Sequence, residues 1–135
     1  MSGAFTGRYP RDPARAFELD GLTLAYIGDA VYELMVRDDL LEHHRIKPGA
    51  LHNMATELVS AKAQFEAYKR IADVLSEREQ AIFLRGRNAK TGEKKKSDPI
   101  THCHATGLEA VFGYLYLAGE EERVRELFEF VRAGA

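Results

Sequence analysis

The chain contains 135 residues and carries a net charge of −2 at pH 7, with 45% hydrophobic and 30% charged residues. This length corresponds to one domain with a real core, and the composition excludes a disordered chain. No apolar run approaches the ~20 residues that span a bilayer, and the N-terminus lacks the apolar segment of a secretory signal, so we expect a cytoplasmic protein without a membrane partner. A single cysteine, Cys103, excludes an intramolecular disulfide bond and a cysteine-rich zinc site.

Residues 1–18 mix glycine, proline, arginine and phenylalanine without a period, and we predict a loose N-terminal arm there. Asp20 is a good N-cap for the helix that follows. The apolar residues of this helix recur at the spacing of one helical face, which we predict to be buried. They are Leu24, Ile27, Val31, Leu34 and Met35.

A second helical pattern starts at Leu51, after the sequence RIKPGA, and runs to about Leu75. Ser76 and Glu79 fit a capping box that opens a short helix ending in the sequence RGR. Residues at about 89–101 are polar and contain glycine and proline, which predicts a mobile basic loop.

Two further helices complete the chain. The first runs from about His102 to Leu117, and Gly119 marks its end. The residues that we predict to be buried on these helices are Leu108, Val111, Phe112 and Leu115 on the first, and Val124, Leu127, Phe128 and Val131 on the second. No segment alternates with period two for long enough to form a strand. We therefore predict a single all-α domain over residues 19–135, with five to seven helices around one core.

The charge is unevenly distributed along the chain. Between Arg85 and Lys96, six basic residues stand against one acid, so this basic segment carries +5 and the rest of the chain −7. Such a segment predicts a polyanionic partner that binds one face, and the alternative is a solvated lysine loop without a partner. The planar guanidinium group of arginine can donate two parallel hydrogen bonds to phosphate oxygens. The candidate phosphate-binding residues are Arg85, Arg87, Asn88, Lys90, Lys94, Lys95 and Lys96, which Lys62 and Lys69 on the second helix could extend.

Two acids of the first long helix, Asp29 and Glu33, lie together on the side opposite its apolar residues. They face water unless something binds them. Gly28 argues against simple exposure, because glycine inside a helix costs up to ~1 kcal/mol relative to alanine. A glycine beside an acid permits the close approach of another backbone, a metal or a ligand.

Glu109 borders the apolar face of the later helix and shares a stripe with His102, Thr106 and Gly113. A half-buried carboxylate needs a cation or a hydrogen-bond donor. One interpretation is a salt bridge to arginine or lysine. The other is a divalent metal shared with Asp29, because Mg²⁺ is typically held by one or two carboxylates with water and substrate phosphate.

The sequence does not support a zinc site or another known catalytic motif. His102, Cys103 and His104 are adjacent, so on a helix they point about 100° apart and do not close a zinc shell together. The sequence contains no GxSxG, P-loop or HExxH motif.

Four segments match one known family in order. LAYIGDAVYELMV resembles the signature helix of ribonuclease III endonuclease domains, and LEAVFGYLYLAG resembles the second acidic helix of that domain. Between them, LHNMATELVSAKAQ and RGRNAKTG resemble the small bacterial subfamily called Mini-ribonuclease III. The resemblance extends from about Leu19 to the C-terminus.

This resemblance implies an all-α homodimer that cuts double-stranded RNA with Mg²⁺, for which Mn²⁺ substitutes, and leaves 5′-phosphate and 3′-hydroxyl ends. Asp29 and Glu109 match the family's metal ligands and are therefore the expected catalytic residues. It further implies maturation of the large-subunit (23S) ribosomal RNA precursor, assisted by a large-subunit ribosomal protein. Larger members carry a separate double-stranded-RNA-binding domain. The sequence holds none, so we expect the basic segment to bind the RNA.

The sequence departs from full-size members at three acids. Ala25 and Thr106 occupy positions where those enzymes have further carboxylates, and Ala61 occupies the position of a third. Glu33 and Thr106 remain candidates for contacts to water around the metal. The missing acids keep an alternative open, a non-catalytic RNA- or ribosome-binding helical module. A third possibility is a helical protein–protein adaptor whose acids lie on the surface.

Overall fold

The computed structural model describes residues 7–90 and 98–133, and within these ranges the chain forms seven α-helices and one short 3₁₀ helix at Ala72–Val74. The α-helices are α1 (Pro13–Phe17), α2 (Gly21–His43), α3 (Pro48–Leu58), α4 (Ala61–Ile71), α5 (Glu77–Arg87), α6 (Pro99–Leu117) and α7 (Glu121–Ala133). The all-α prediction is confirmed, since the described residues contain no strand. None of the helices in these ranges is long and apolar enough to span a membrane.

Helix α6 forms the centre of the fold, with α2, α4 and α5 packed around it. Eleven of its residues are buried, so it is enclosed on nearly all sides, as expected for a core helix. The four residues that we predicted to be buried on it are buried, and so are the four on α7. The helix begins at Pro99, earlier than predicted, because proline fits the first turn. The predicted loop therefore ends before Pro99, and its residues 91–97 lie outside the described residues.

Helix α2 begins where the sequence predicts, because the Asp20 carboxylate accepts a hydrogen bond of 2.8 Å from the Thr23 amide. Its buried face differs from the prediction. Of the five residues predicted to be buried only Leu24 is fully enclosed, and Leu34 is 57% exposed. The buried residues are Gly21, Leu24, Ala25, Gly28, Tyr32, Val36 and Leu40. Small side chains on this face let α2 approach α6 closely, and a count of apolar residues does not reveal this preference.

Two predicted boundaries are wrong. The single helix predicted from Leu51 is interrupted, because Ser60 accepts a hydrogen bond of 3.2 Å from the Ala63 amide and caps a new helix, α4. The predicted loose arm contains α1, whose N-cap is Asp12 and whose Ala16 is fully buried. In both places a capping side chain followed by helix-compatible residues was the available signal.

An ion pair joins α7 to the start of α5. The predicted capping box is confirmed, since the Glu79 amide donates to the Ser76 hydroxyl at 3.1 Å and the Ser76 amide donates to the Glu79 carboxylate at 2.8 Å. Arg123 donates to both carboxylate oxygens of Glu79, at 2.8 Å each, and to the Val74 carbonyl oxygen at 2.7 Å. Because Glu79 is only 5% exposed, this pair stabilises the junction from inside the fold.

Candidate active site at the crossing of two helices

The backbones of α2 and α6 touch at Gly28. An ideal Cβ atom built on Gly28 would lie 1.7 Å from the carbonyl oxygen of Glu109, so only a hydrogen atom fits there. Asp29 is the next residue along α2. The contact therefore brings Asp29 and Glu109, eighty positions apart in the sequence, to the same helix crossing. The prediction that Gly28 permits the close approach of another backbone is confirmed.

Both acids border solvent at this crossing. Asp29 is exposed and Glu109 is partly exposed, as predicted for a carboxylate at the edge of an apolar face. Ala25 and Thr106, one turn before them, are 6% and 5% exposed. The Thr106 hydroxyl donates to the His102 carbonyl oxygen at 3.1 Å. A contact of Thr106 with water around a metal would compete with this hydrogen bond.

The site offers two carboxylates to a cation. Across residues 7–90 and 98–133, no three histidine, cysteine, aspartate or glutamate side chains are grouped so that they could hold a metal ion. The donor set of Asp29 and Glu109 consists of oxygen alone, which suits a hard cation such as Mg²⁺ that keeps several of its waters. Zinc prefers three or four protein ligands that include nitrogen or sulfur. The residues present therefore fit a hydrated magnesium ion.

The charge of Glu109 acts on a buried tyrosine. Tyr32 is 2% exposed and packs edge-on against Phe112 and Phe128, with ring centroids 5.1 and 5.8 Å away. Burial raises the pKa of Tyr32, the positive charge of Arg70 lowers it, and the negative charge of Glu109 raises it, so that the net pKa lies above its ordinary value. Tyr32 therefore keeps a neutral hydroxyl group at physiological pH.

Glu33 has its own partner. Arg37 donates to one carboxylate oxygen of Glu33 through Nε at 2.9 Å and Nη2 at 2.6 Å. The pair spans one turn on the solvent side of α2 and adds only about 0.2–0.5 kcal/mol to the helix. A contact of Glu33 with water around a metal would have to compete with Arg37.

Helix α5 brings the start of the basic segment next to α6. An ideal Cβ atom on Gly86 would lie 3.0 Å from the carbonyl oxygen of Thr106, so this glycine also permits a close helix contact. Arg85 and Arg87 flank Gly86. Because Thr106 and Glu109 lie within one turn of each other on α6, the basic segment begins close to the candidate site.

The two arginines have different surroundings. Arg85 donates to the carbonyl oxygens of Phe17 and Leu19, the latter at 2.8 Å, and lies over the Phe17 ring. Its guanidinium therefore anchors the N-terminal arm, a structural role that the sequence did not predict. Arg87 is partly exposed, and among the described residues its guanidinium donates through Nε alone, to the Asn88 side chain at 3.1 Å.

The remaining candidate RNA contacts are spread over three places. Asn88 is the C-cap of α5 and is exposed, as is Lys90. Lys62 is exposed on α4, where Lys69 pairs with Glu66 at 3.2 Å. The three lysines at 94–96 lie outside the described residues.

His104 belongs to an aromatic cluster. Its Nδ1 lies 2.8 Å from the Ile100 carbonyl oxygen. Its ring lies 4.6 Å from the ring of Phe65 and within 6 Å of those of Tyr68 and Phe83. These contacts give the imidazole a packing role between α4, α5 and α6.

Sequence reasoning missed an exposed apolar face on α2. Tyr26 is 81% exposed, and Leu34 lines a groove of about 500 Å³ together with Ile27 and Val31. The apolar spacing suggested burial of this face, whereas the stripe of small residues that includes Gly28 was the signal for the face that packs on α6.

The chain matches the family model for the Ribonuclease III domain over residues 22–120, a range that contains Asp29 and Glu109. It is 44% identical over 116 residues to Mini-ribonuclease 3 of Enterococcus faecalis, covering 84% of this chain and 88% of that protein. It is also 44% identical over 117 residues to Mini-ribonuclease 3 of Symbiobacterium thermophilum, covering 86% and 90%. A crystal structure of a protein from Fusobacterium nucleatum matches with a TM-score of 0.78 and 32% identity, covering 91% of this chain and 98% of that one.

Proposed function

Because the chain belongs to the ribonuclease III family and is therefore an endoribonuclease, we propose that its substrate is double-stranded RNA and that it cuts this substrate with Mg²⁺. The observation that carries the proposal is the contact between Gly28 and the Glu109 backbone, which joins two acid-bearing helices where both acids border solvent. One exposed and one partly exposed carboxylate suit a hydrated cation that also binds a substrate phosphate.

Asp29 and Glu109 would hold the cation in this proposal. Mg²⁺, when bound, supplies charge that polarises the scissile phosphate and favours ionisation of the attacking water, and Mn²⁺ would substitute for it. The water attacks phosphorus, the bond from phosphorus to the 3′ oxygen breaks, and that oxygen takes up a proton. The products carry 5′-phosphate and 3′-hydroxyl ends, and no protein nucleophile takes part.

The basic segment would position the RNA backbone. Arg87 is partly exposed and Asn88 and Lys90 are exposed at the end of α5, next to the contact of Gly86 with α6, whereas Arg85 is held by the N-terminal arm. An A-form duplex is recognised mainly by its shape and its 2′-hydroxyl groups, so these contacts need not distinguish bases. The lysines at 94–96 and Lys62 would add screened attraction, which makes binding depend strongly on salt.

A homodimer would set one site against each strand of the duplex. The exposed apolar face of α2 supports this part of the proposal, because a contiguous apolar surface with its own groove favours burial against protein. Tyr26 lies three residues before Asp29 on the same helix. A subunit contact at Tyr26 would therefore place the two sites near the symmetry axis.

The family relationship also suggests the substrate in the cell. We infer that the enzyme matures the precursor of the large-subunit 23S ribosomal RNA, with the help of a large-subunit ribosomal protein. This activity belongs to the cytoplasm, where ribosomes are assembled.

A cleavage assay with the Asp29→Asn variant tests the proposal. Duplex RNA and the corresponding single strand are incubated with Mg²⁺, with Mn²⁺ or with EDTA, and the products are resolved on a denaturing gel. The unaltered protein should cut the duplex in either metal and not in EDTA. Asp29→Asn should reduce cleavage by about 100-fold or more, since it removes a metal-binding charge at almost constant volume. Asp38→Asn, the same substitution at an exposed position of α2, should cut normally.

The other outcomes are equally informative. Cleavage by Asp29→Asn at the normal rate would refute the metal assignment. RNA that is retarded on a native gel but stays intact in Mg²⁺ would indicate the non-catalytic binding module, which the loss of acids at Ala25 and Thr106 favours. A protein that neither binds nor cuts RNA would be the helical adaptor.

A further inference from the structure

A second cavity, distinct from the candidate active site and from the groove on α2, lies between α2, α3, α4 and α7. Its volume of about 640 Å³ is in the range of small-molecule sites. Val36, Phe128 and Val131 form an apolar wall. Arg70 and Lys62 of α4 add cationic groups to the same lining. A cavity that combines apolar and cationic side chains suits an amphipathic ligand.

Tyr32 also lines this cavity. Its ring is fixed by the contacts with Phe112 and Phe128, and the residue is 98% buried. Its hydroxyl group forms no hydrogen bond with any residue in 7–90 or 98–133. The hydroxyl oxygen reaches the solvent of the cavity, so a ligand atom that accepted its hydrogen bond would take the place of water.

Arg70 supplies a positive charge near that hydroxyl. Both side chains line the same cavity, where burial raises the pKa of Tyr32 and the charge of Arg70 opposes this rise. Arg70 donates through Nη1 to the Val131 carbonyl oxygen at 3.1 Å. It forms no ion pair with a carboxylate of the described ranges, and neither does Lys62. Both cations can therefore bind an anion without first breaking an ion pair.

Within the described residues, the acids that line the cavity form no ion pair with Arg70 or Lys62. Asp39 is bound by Arg132 at 2.7 Å, and Glu66 by Lys69 at 3.2 Å. Glu57 remains as the third acid of the lining. Lys62, Arg70 and Arg132 balance these three acids, so the lining carries no net charge, and the attraction for an anion is local to Arg70 and Lys62.

We propose that this cavity binds a small amphipathic anion, in which one carboxylate or phosphate group is attached to an aromatic or branched aliphatic body. The anionic group accepts hydrogen bonds from Arg70 and from the Tyr32 hydroxyl. The apolar body packs against Val36, Phe128 and Val131. A backbone phosphate of RNA has no apolar body to occupy this wall, so the cavity favours the amphipathic anion, and it shares only Lys62 with the proposed RNA-binding surface.

The test uses anilinonaphthalene sulfonate, an aromatic anion that fluoresces in apolar surroundings, titrated into the full chain. Binding should saturate at one molecule per chain. Arg70→Met should weaken it by about tenfold or more, and Tyr32→Phe by about three- to tenfold, as expected for a charged and a neutral hydrogen bond. Circular dichroism shows whether Arg70→Met folds. If it does not, Tyr32→Phe, which keeps the ring contacts, tests the proposed anion site by itself.

Two tryptophan variants locate the bound probe. Ala63→Trp fills the cavity and should abolish binding, whereas Ala30→Trp fills the groove on α2 and should leave it unchanged. Naphthyl phosphate should displace the probe, whereas naphthol and inorganic phosphate, which each carry half of the required chemistry, should not. Displacement by inorganic phosphate alone, loss of binding only in Ala30→Trp, or unchanged affinity in both Arg70→Met and Tyr32→Phe would each overturn the proposal.

Discussion

Gly28 and Gly113 face each other where α2 crosses α6. An ideal Cβ atom on Gly28 would lie 2.8 Å from the Gly113 amide nitrogen, and one on Gly113 would lie 2.0 Å from the Leu24 carbonyl oxygen. Neither position accommodates a side chain unless the two main chains separate. The positions of the two site acids therefore depend on the absence of two methyl groups.

Substitution Gly28→Ala should destabilise the fold. Alanine favours a helix by up to about 1 kcal/mol over glycine, but here the added methyl group meets backbone, and we expect a net loss of about 1–3 kcal/mol in the free energy of unfolding. Urea denaturation measures this loss. Gly49→Ala is the matched control, because nothing lies within 4 Å of its added Cβ atom, and it should be neutral or stabilising.

The outcome that contradicts this account is a Gly28→Ala protein as stable as the unaltered chain. Helix propensity would then have outweighed the contact, and the two main chains would have room that the structure does not show. Loss of stability at both glycines would instead point to a general intolerance of these helices to substitution.

Local capping signals predicted the starts of α2 and α5, although the equally local caps of α1 and α4 were missed, and long-range packing explains the wrong buried face of α2. Asp20 and the Ser76–Glu79 box are caps within three or four residues, so the sequence shows both partners at once. The buried face of α2 depends on α6, which is distant in sequence. Apolar content favoured the face of Leu34, but the close crossing selected the face of Gly28, because only small residues allow main chains to touch.

In the candidate site, too, the sequence predicts the features that depend on local signals and misses those that depend on distant contacts. Asp29 and Glu109 could be named from their helical positions and from the family resemblance. Gly28 indicated that another main chain could approach α2 closely at this point. The role of Arg85 could not be predicted, because its acceptors are main-chain oxygens of Phe17 and Leu19, and any residue type supplies such an oxygen.

The pair of Glu79 and Arg123 should make stability depend on acid pH. Burial raises the pKa of Glu79, but hydrogen bonds from Arg123 and the Ser76 amide, together with the Arg123 charge, outweigh burial and lower it below the ordinary 4.5. The unfolded chain thus binds a proton at higher pH than the native chain. The stabilisation is fully present above about pH 4.5 and is lost as the pH falls through the native pKa.

Glu79→Gln tests this prediction. At pH 7 it should cost about 1–3 kcal/mol, because Arg123 then loses its buried charged acceptor and keeps only the exposed Glu126, at 2.9 Å, among the described acids. The difference from the unaltered protein should shrink as the pH is lowered from 5 toward 3, because the unfolded chain then binds a proton at Glu79 more readily than the native chain does. Urea denaturation at several pH values measures it. A difference that stays constant over this range would exclude titration of Glu79 as the cause.

Tyr26→Ser should weaken the proposed dimer. An aromatic ring that is 81% exposed in one subunit contributes most of its apolar area only when a partner covers it. Light scattering after size exclusion should give twice the chain mass of 15.2 kDa for the unaltered protein and a monomer fraction that grows on dilution for Tyr26→Ser. Phe130→Ser, at an exposed aromatic residue of α7, should remain dimeric. A monomeric unaltered protein would refute the proposal outright.

Substitution of Arg85 should affect stability, whereas substitution of Arg87 should affect RNA binding. The guanidinium of Arg85 is held by two carbonyl oxygens of the N-terminal arm, so Arg85→Gln should lower the free energy of unfolding by about 1.5–3 kcal/mol and leave the salt dependence of RNA binding unchanged. Arg87 uses one nitrogen internally. Arg87→Gln should keep stability but reduce the slope of log affinity against log salt by about 1, as expected for one lost phosphate contact.

Fluorescence anisotropy with labelled duplex RNA in EDTA, over a series of salt concentrations, measures these slopes without cleavage. Arg125→Gln, an exposed arginine of α7 that pairs only loosely with Glu122 at 3.4 Å, corrects for the loss of one positive charge anywhere on the surface. If Arg85→Gln flattened the slope as much as Arg87→Gln, the arm would have to release Arg85 when RNA binds. In that case the helix end that carries Gly86 would be a moving part of the RNA surface, and the contact of α5 with α6 would not by itself position the basic segment.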